Sequence, residues 1–138
     1  YLDKNISNSL LLDSVPHGEI SRYMQDSKVF VLPSLFEGHP KVLLEAMSCG
    51  MSVVGSDKPG IRNVIEHGKT GLLCSTGTDD IKQSIQRLLD DHELRTALGR
   101  NAREYIENNC SLSAVSKMES NLMQSIVQRS NESSNIII

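Results

Sequence analysis

Short apolar runs alternate with amphipathic stretches along most of the chain. The runs are apolar at successive positions and not at every second one, which is typical of strands buried on both faces of a parallel sheet. We predict strands over residues 9–15, 28–32, 52–55 and 71–74. The amphipathic stretches predict helices over residues 18–26, 40–48, 60–66, 79–90, 92–108 and 112–129. This alternation indicates an α/β fold, a Rossmann-like parallel sheet with helices on both faces.

Residues that commonly begin or end helices mark several boundaries. Pro40 suits the first position of a helix, and Gly50 suits a left-handed stop after that helix. Thr78 is the predicted cap of the helix over residues 79–90. The apolar stripe of this helix consists of Ile81, Ile85, Leu88 and Leu89.

The composition is that of an ordinary soluble domain, and it excludes one class of partner. The 138 residues are 38% apolar and 22% charged, which fits a single domain with a modest core. The net charge is −3, there is no block of Lys and Arg, and the aromatic residues are two Phe and three Tyr. Nucleic acid is therefore not an expected partner. We assign residues 1–130 to the domain and residues 131–138 to a flexible tail.

The cysteines and histidines indicate a reducing compartment and no metal site. Cys49, Cys74 and Cys110 are odd in number and far apart, which predicts free thiols and a cytoplasmic location. No apolar run is long enough to cross a membrane, and peripheral attachment to the inner face of a membrane is left open. The histidines lack the spacing of metal ligands, so we expect no metal; they are His17, His39, His67 and His92.

The segment after the strand predicted at 28–32 carries the candidate chemistry. In open α/β sheets, ligands bind outside the carboxyl ends of the strands. This rule places Glu37 at the ligand crevice. The adjacent Gly38 allows the backbone to come close to a ligand.

The start of the next helix offers a different kind of contact. Unpaired amides and the helix dipole attract phosphate at a helix N-terminus. Glu45 lies about one turn into the helix, where its carboxylate can accept hydrogen bonds from the two hydroxyls of a ribose. Together with Glu37 on sugar hydroxyls, this predicts a phosphorylated, polyhydroxylated ligand. The amides concerned are those of His39, Lys41, Val42 and Leu43.

The motif that spans these residues resembles the signature of family 4 glycosyltransferases with the GT-B fold. It reads Pro33-Ser34-x-x-Glu37-Gly38-x-Pro40-x-x-x-x-Glu45-Ala46-Met47. The pattern continues in Cys49-Gly50-x-x-Val53-Val54-x-Ser56 and in Ile65-x-x-Gly68-x-x-Gly71-Leu72-Leu73. The resemblance implies transfer of a sugar from a UDP-sugar or a GDP-sugar, with retention of configuration and without a metal. It covers about residues 9–110.

The resemblance also implies the residues of the donor site. Glu37 is the candidate catalytic residue, although the sequence leaves the retaining mechanism undecided. One position departs from the family's pattern, because Asn63 stands where the family usually has Glu; His39 stands where the family varies. The implied donor-binding residues are Ser34, Glu37, Gly38, His39, Pro40, Lys41, Val42, Leu43, Glu45 and Gly60.

The likeness further implies that part of the family's protein is missing from this chain. The family's C-terminal domain has two more strands before residue 9, and these bring a Gly-Arg pair and a Lys to the diphosphate. We therefore expect an incomplete domain or a rearranged sheet, and an acceptor glycan, lipid or small molecule bound by an absent N-terminal domain. Two alternatives remain open: a non-catalytic sugar-nucleotide-binding subunit, and a sugar-nucleotide epimerase of the same fold. No Gly-x-Gly-x-x-Gly follows a strand, which disfavours a nicotinamide oxidoreductase.

Overall fold

Helices and strands alternate in the first part of the molecule, and three consecutive helices follow. The computed structural model describes residues 9, 12 and 14–134, with side chains as far as residue 129. Its strands are β1 (Val29–Leu32), β2 (Ser52–Ser56) and β3 (Leu72–Cys74). Its helices are α1 (His17–Gln25), α2 (Lys41–Ser48), α3 (Thr78–Asp90), α4 (His92–Asn109) and α5 (Leu112–Ser134).

The three described strands form one parallel sheet in the order β1-β2-β3. Val29 pairs with Ser52 at one end of the first ladder, and Val54 pairs with Leu72 in the second. The prediction of a parallel α/β sheet is thus confirmed. The strand predicted over residues 9–15 lies partly outside the described residues, and those that are described there are not in a strand.

Two apolar layers cover the two faces of the sheet. Val53 and Val54 are consecutive in β2 and point to opposite faces, and both are fully buried. Val53 packs in a cluster with α2 and α4, and Val54 packs with Leu88 of α3. The first cluster contains Met24, Leu43, Ala46, Met47, Met51, Val53, Ile61, Ile65 and Ala102. The burial of β2 on both sides explains why the consecutive residues Val53 and Val54 are both apolar.

The end of α2 and the middle of α4 touch through two glycines. Gly50 has a φ of 73°, which is the predicted left-handed stop. A Cβ added to Gly99 would overlap the Gly50 carbonyl oxygen and would lie 3.1 Å from its carbon atom. The absence of a side chain at Gly99 therefore sets the distance between α4 and the α2–β2 turn.

We expect Gly99→Ala to lower the free energy of unfolding by about 1–3 kcal/mol, because the added methyl group forces two packed elements apart. Gly18→Ala is the matched control, since Gly18 is also helical and an added Cβ there would meet nothing within 4 Å. The control should leave the free energy of unfolding at the wild-type value or raise it by up to about 1 kcal/mol. Urea unfolding of both variants measures the difference, and equal stabilities would contradict the assigned contact.

The prediction of a helix over residues 60–66 is wrong. Residues 59–64 form successive turns, in which the Arg62 amide donates to the Lys58 carbonyl at 2.9 Å and the Ile65 amide donates to the Ile61 carbonyl at 3.0 Å. Gly60 has a φ of 87°, which no helix accommodates. Ile61 and Ile65 are apolar because their side chains pack against Gly55. A Cβ added to Gly55 would lie 2.5 Å from the Ile61 side chain.

Several helix boundaries also differ from the prediction. Pro40 is the residue before α2 and not its first residue, and Gly77 takes the capping position predicted for Thr78. Leu89, assigned to the apolar stripe of α3, is 45% exposed. The last helix, predicted to end at residue 129, continues to Ser134 and so enters the segment assigned to the tail. Local cap signals therefore located the helix starts to within one or two residues.

The last helix, α5, keeps an apolar stripe exposed along its length. Its exposed apolar residues are Leu112, Val115, Met118, Leu122, Met123, Ile126 and Val127.

The described helices include none that is both long and apolar enough to cross a bilayer. The cysteines are all free thiols, as predicted.

Candidate functional site

The loops after β1 and β2 meet at the carboxyl end of the sheet. β1 and β2 run parallel, so both chains leave the sheet at the same edge. The Ser56 hydroxyl at the end of β2 donates a hydrogen bond to the Ser34 carbonyl in the loop after β1. Ser34 therefore joins the two loops through its backbone, and the predicted site segment begins where the topology rule places ligands.

Glu37 lies in the first loop and its backbone packs against Gly60 of the second. A Cβ at Gly60 would overlap the Glu37 carbonyl oxygen and would lie 2.8 Å from the carbonyl carbon. Gly38 is exposed, and a Cβ there would meet nothing within 4 Å, so its own surroundings leave room for a ligand. The sequence placed Gly60 near the donor, and the structure brings it into direct contact with the Glu37 backbone.

An ion pair closes the turn that contains Gly60. The Arg62 Nε atom donates to the Asp57 carboxylate, and Arg62 Nη2 donates to the Asp57 carbonyl oxygen at 3.0 Å. Hydrogen bonding to Asp57, and then its negative charge, raise the pKa of Arg62. Sequence reasoning missed this pair. A signal for it was the spacing of an acidic and a basic residue across the predicted tight turn.

The start of α2 follows directly from the Glu37 loop. Pro40 is buried, and its carbonyl accepts from the Leu43 and Leu44 amides at 3.0 and 3.2 Å. The Lys41 amide donates to the His39 carbonyl at 2.9 Å. The prediction of four free amides is therefore wrong for Lys41 and Leu43, because the chain itself satisfies them.

Two amides and one ammonium group remain available at this helix start. Among the described residues, the His39 and Val42 amides have no backbone acceptor. Lys41 is exposed, and the described part of the chain places no carboxylate within ion-pair distance of it. Leu43 contributes packing instead, since its side chain is fully buried in the core. The helix dipole and the Lys41 ammonium group therefore supply positive charge at this helix start.

Glu45 lies one turn into α2 and faces α1. Its side chain is 38% exposed, and its Oε1 atom is 4.0 Å from His17 Nε2. The two residues line a cleft of about 280 Å³ between α1 and α2, together with Gly18, Ile20, Ser21, Met24, Ser48 and Cys49. The carboxylate is thus open to a ligand from the α1 side.

Glu37 and Glu45 have different neighbours among the described residues. Glu37 belongs to the loop that contacts the Gly60 turn, and Glu45 belongs to the cleft between α1 and α2. The start of α2 lies between them in the chain. Sequence reasoning did not find His17 beside Glu45. The described residues contain no group of three His, Cys, Asp or Glu side chains that could hold a metal ion.

Comparison with known proteins identifies the family of this chain. Residues 4–105 match the family described as glycosyl transferases group 1. An uncharacterized glycosyltransferase of Methanocaldococcus jannaschii is 31% identical over 102 residues, which are 73% of this chain and 29% of that protein. The chain thus spans less than a third of the length of this relative.

Solved structures agree with the sequence match. Sucrose-phosphate synthase from Thermosynechococcus elongatus superposes with a TM-score of 0.75 and 27% identity, over 86% of this chain and 30% of that one. A TarM variant of S. aureus, solved with UDP among its ligands, gives a TM-score of 0.68 and 28% identity, over 75% of this chain and 22% of that one. The chain belongs to the group 1 glycosyl transferases.

Proposed function

We propose that the protein transfers a sugar from a nucleoside diphosphate donor to an acceptor, with retention of configuration, and that this chain binds the donor. The observation that carries the proposal is the position of Glu37 and Glu45 on either side of the α2 start, at the carboxyl end of a parallel sheet. Each acid has a different neighbourhood, which suits a ligand with two different hydroxyl-bearing ends.

The donor lies extended across the start of α2 in this assignment. Glu37 takes hydroxyls of the sugar, and Glu45 takes hydroxyls of the ribose. Lys41 and the His39 and Val42 amides face the diphosphate between them. The helix rises about 6 Å from Lys41 to Glu45 at about 1.5 Å per residue, which separates the diphosphate at the helix start from the ribose at Glu45. This extended placement explains why the two carboxylates need not share one cleft.

The positive charge at the diphosphate comes from the protein in this proposal. The α2 dipole and Lys41 supply part of it, and no resident metal is assigned a role. Acceptor binding is assigned to another domain of the full-length protein, because the chain spans 29% of its archaeal relative. A uridine diphosphate donor has support from the UDP found in the TarM structure.

A panel of UDP-, GDP- and ADP-sugars tests the proposal on the full-length protein. We expect one donor class to bind and to be consumed, with the released nucleoside diphosphate measured by a coupled assay and the product anomer determined by NMR. Binding without turnover in the presence of an acceptor panel would instead identify a sugar-nucleotide-binding subunit. An inverted product would remove the assignment of retention.

Glu45→Ala should weaken donor binding by about 1–3 kcal/mol, because a carboxylate that accepts ribose hydroxyls is lost. Isothermal titration with the donor identified by the panel measures the change. Glu104→Ala is the control, since Glu104 is exposed on α4 and away from the α1–α2 cleft. Equal donor affinities for the two variants would exclude Glu45 from the site.

A further inference from the structure

The cleft between α1 and α2 contains a histidine that lies outside the glutamate motif. His17 is the first residue of α1, and it lines the cleft with Glu45. Of the two serines in the same lining, Ser48 already donates its hydroxyl to the Glu45 carbonyl at 2.7 Å. The only ion-pair contact of the Glu45 carboxylate within the described residues is the one to His17 Nε2, at 4.0 Å.

We propose that His17 and Glu45 hold one ribose hydroxyl between them and thereby select ribonucleotide donors over deoxyribonucleotide donors. This rests on the proposed function, which assigns the ribose to Glu45. A separation of 4.0 Å is too long for a direct hydrogen bond. It leaves room for one oxygen atom at about 2.8 Å from each of the two atoms.

The chemistry of the two groups fits a hydroxyl in that space better than a phosphate oxygen. The Glu45 carboxylate only accepts hydrogen bonds, and the His17 ring nitrogen can donate one. A hydroxyl donates its proton to the carboxylate and accepts from the ring, so it satisfies both. A phosphate oxygen has no proton to give and is repelled by the carboxylate. The second oxygen of Glu45 stays available for the adjacent hydroxyl of the same ribose.

Open access to the cleft supports a ligand role over a structural one. The side chains of His17 and Glu45 are 83% and 38% exposed. An ion pair at this exposure and distance contributes little to stability. Replacement of His17 should therefore change ligand binding while leaving the fold intact.

Titration of the full-length protein with nucleoside diphosphates tests the proposal. The tightest binder among UDP, GDP and ADP is compared with its 2′-deoxy and 3′-deoxy forms. For the wild type, removal of the bridging hydroxyl should weaken binding about 10-fold. In His17→Ala, binding of the ribonucleotide should weaken by about 5-fold to 10-fold, and the penalty for the same deoxy form should shrink to about 2-fold. His17→Gln, which keeps an N–H donor, should recover part of the loss.

His92→Ala is the matched control, because His92 is also an exposed histidine at the first position of a helix. It should keep the wild-type affinities for all forms. If His17→Ala binds the ribonucleotide like the wild type, or loses the same factor for ribose and deoxyribose forms, the proposal is overturned. If the wild type binds none of the three nucleoside diphosphates, the proposed function fails as well. Wild-type binding that is insensitive to His17 overturns only the present inference.

Discussion

Glu37→Gln should lower kcat/KM for sugar transfer by about 100-fold or more, with a free energy of unfolding within about 0.5 kcal/mol of the wild type. Glu37 is half-buried in the loop after β1, and its carboxylate has no ion-pair partner among the described residues. Loss of its charge therefore removes little from the fold. The amide keeps the shape of the side chain but is a much weaker acceptor for sugar hydroxyls and does not stabilise positive charge at the reacting carbon.

Initial rates at subsaturating donor, together with thermal unfolding, separate the two effects of this substitution. Glu119→Gln is the control, because Glu119 is an exposed acid on α5 outside the candidate site. It removes the same charge and should keep kcat/KM within about 2-fold. A Glu37→Gln enzyme as active as this control would remove Glu37 from the catalytic site.

The second large effect is expected for Gly60→Ala, which should reduce both stability and activity. The residue has a φ of 87°, where a Cβ costs about 1–2 kcal/mol, and the added methyl group would overlap the Glu37 carbonyl. We expect a total loss of stability of about 3 kcal/mol once the overlap is included. The Glu37 loop must move away from the turn, so kcat/KM should fall by about 100-fold, because small misplacements at a reacting centre are costly.

Gly68→Ala separates backbone strain from displacement of the loop. Gly68 has a φ of 77°, but a Cβ there would meet nothing within 4 Å. This control should lose only about 1–2 kcal/mol of stability and should keep the activity of its folded fraction near that of the wild type. Activity measured at a temperature where both variants are fully folded is the decisive comparison. Equal activities would show that the Gly60 contact does not position Glu37.

The local pattern of the chain was sufficient for the type of fold and for the junction between β1 and α2. Continuous apolar runs predicted β1, β2 and β3 as parallel strands, and apolar clusters pack on both faces of the sheet that they form. The Pro33–Met47 motif then had to follow the carboxyl end of a strand. Both inferences rest on residues that are close together in the chain, so the sequence pattern alone is enough to make them.

The sequence by itself therefore determined the α/β class and the strand-to-helix junction between β1 and α2. Tertiary structure alone decided that residues 59–64 are turns, since Gly60 meets the Glu37 backbone and Ile61 packs on Gly55. It also decided that His17 faces Glu45. The Gly60–Glu37 and His17–Glu45 contacts join residues more than 20 positions apart. Such contacts depend on how the sheet pairs and how the helices pack on it, and local periodicity carries no record of them.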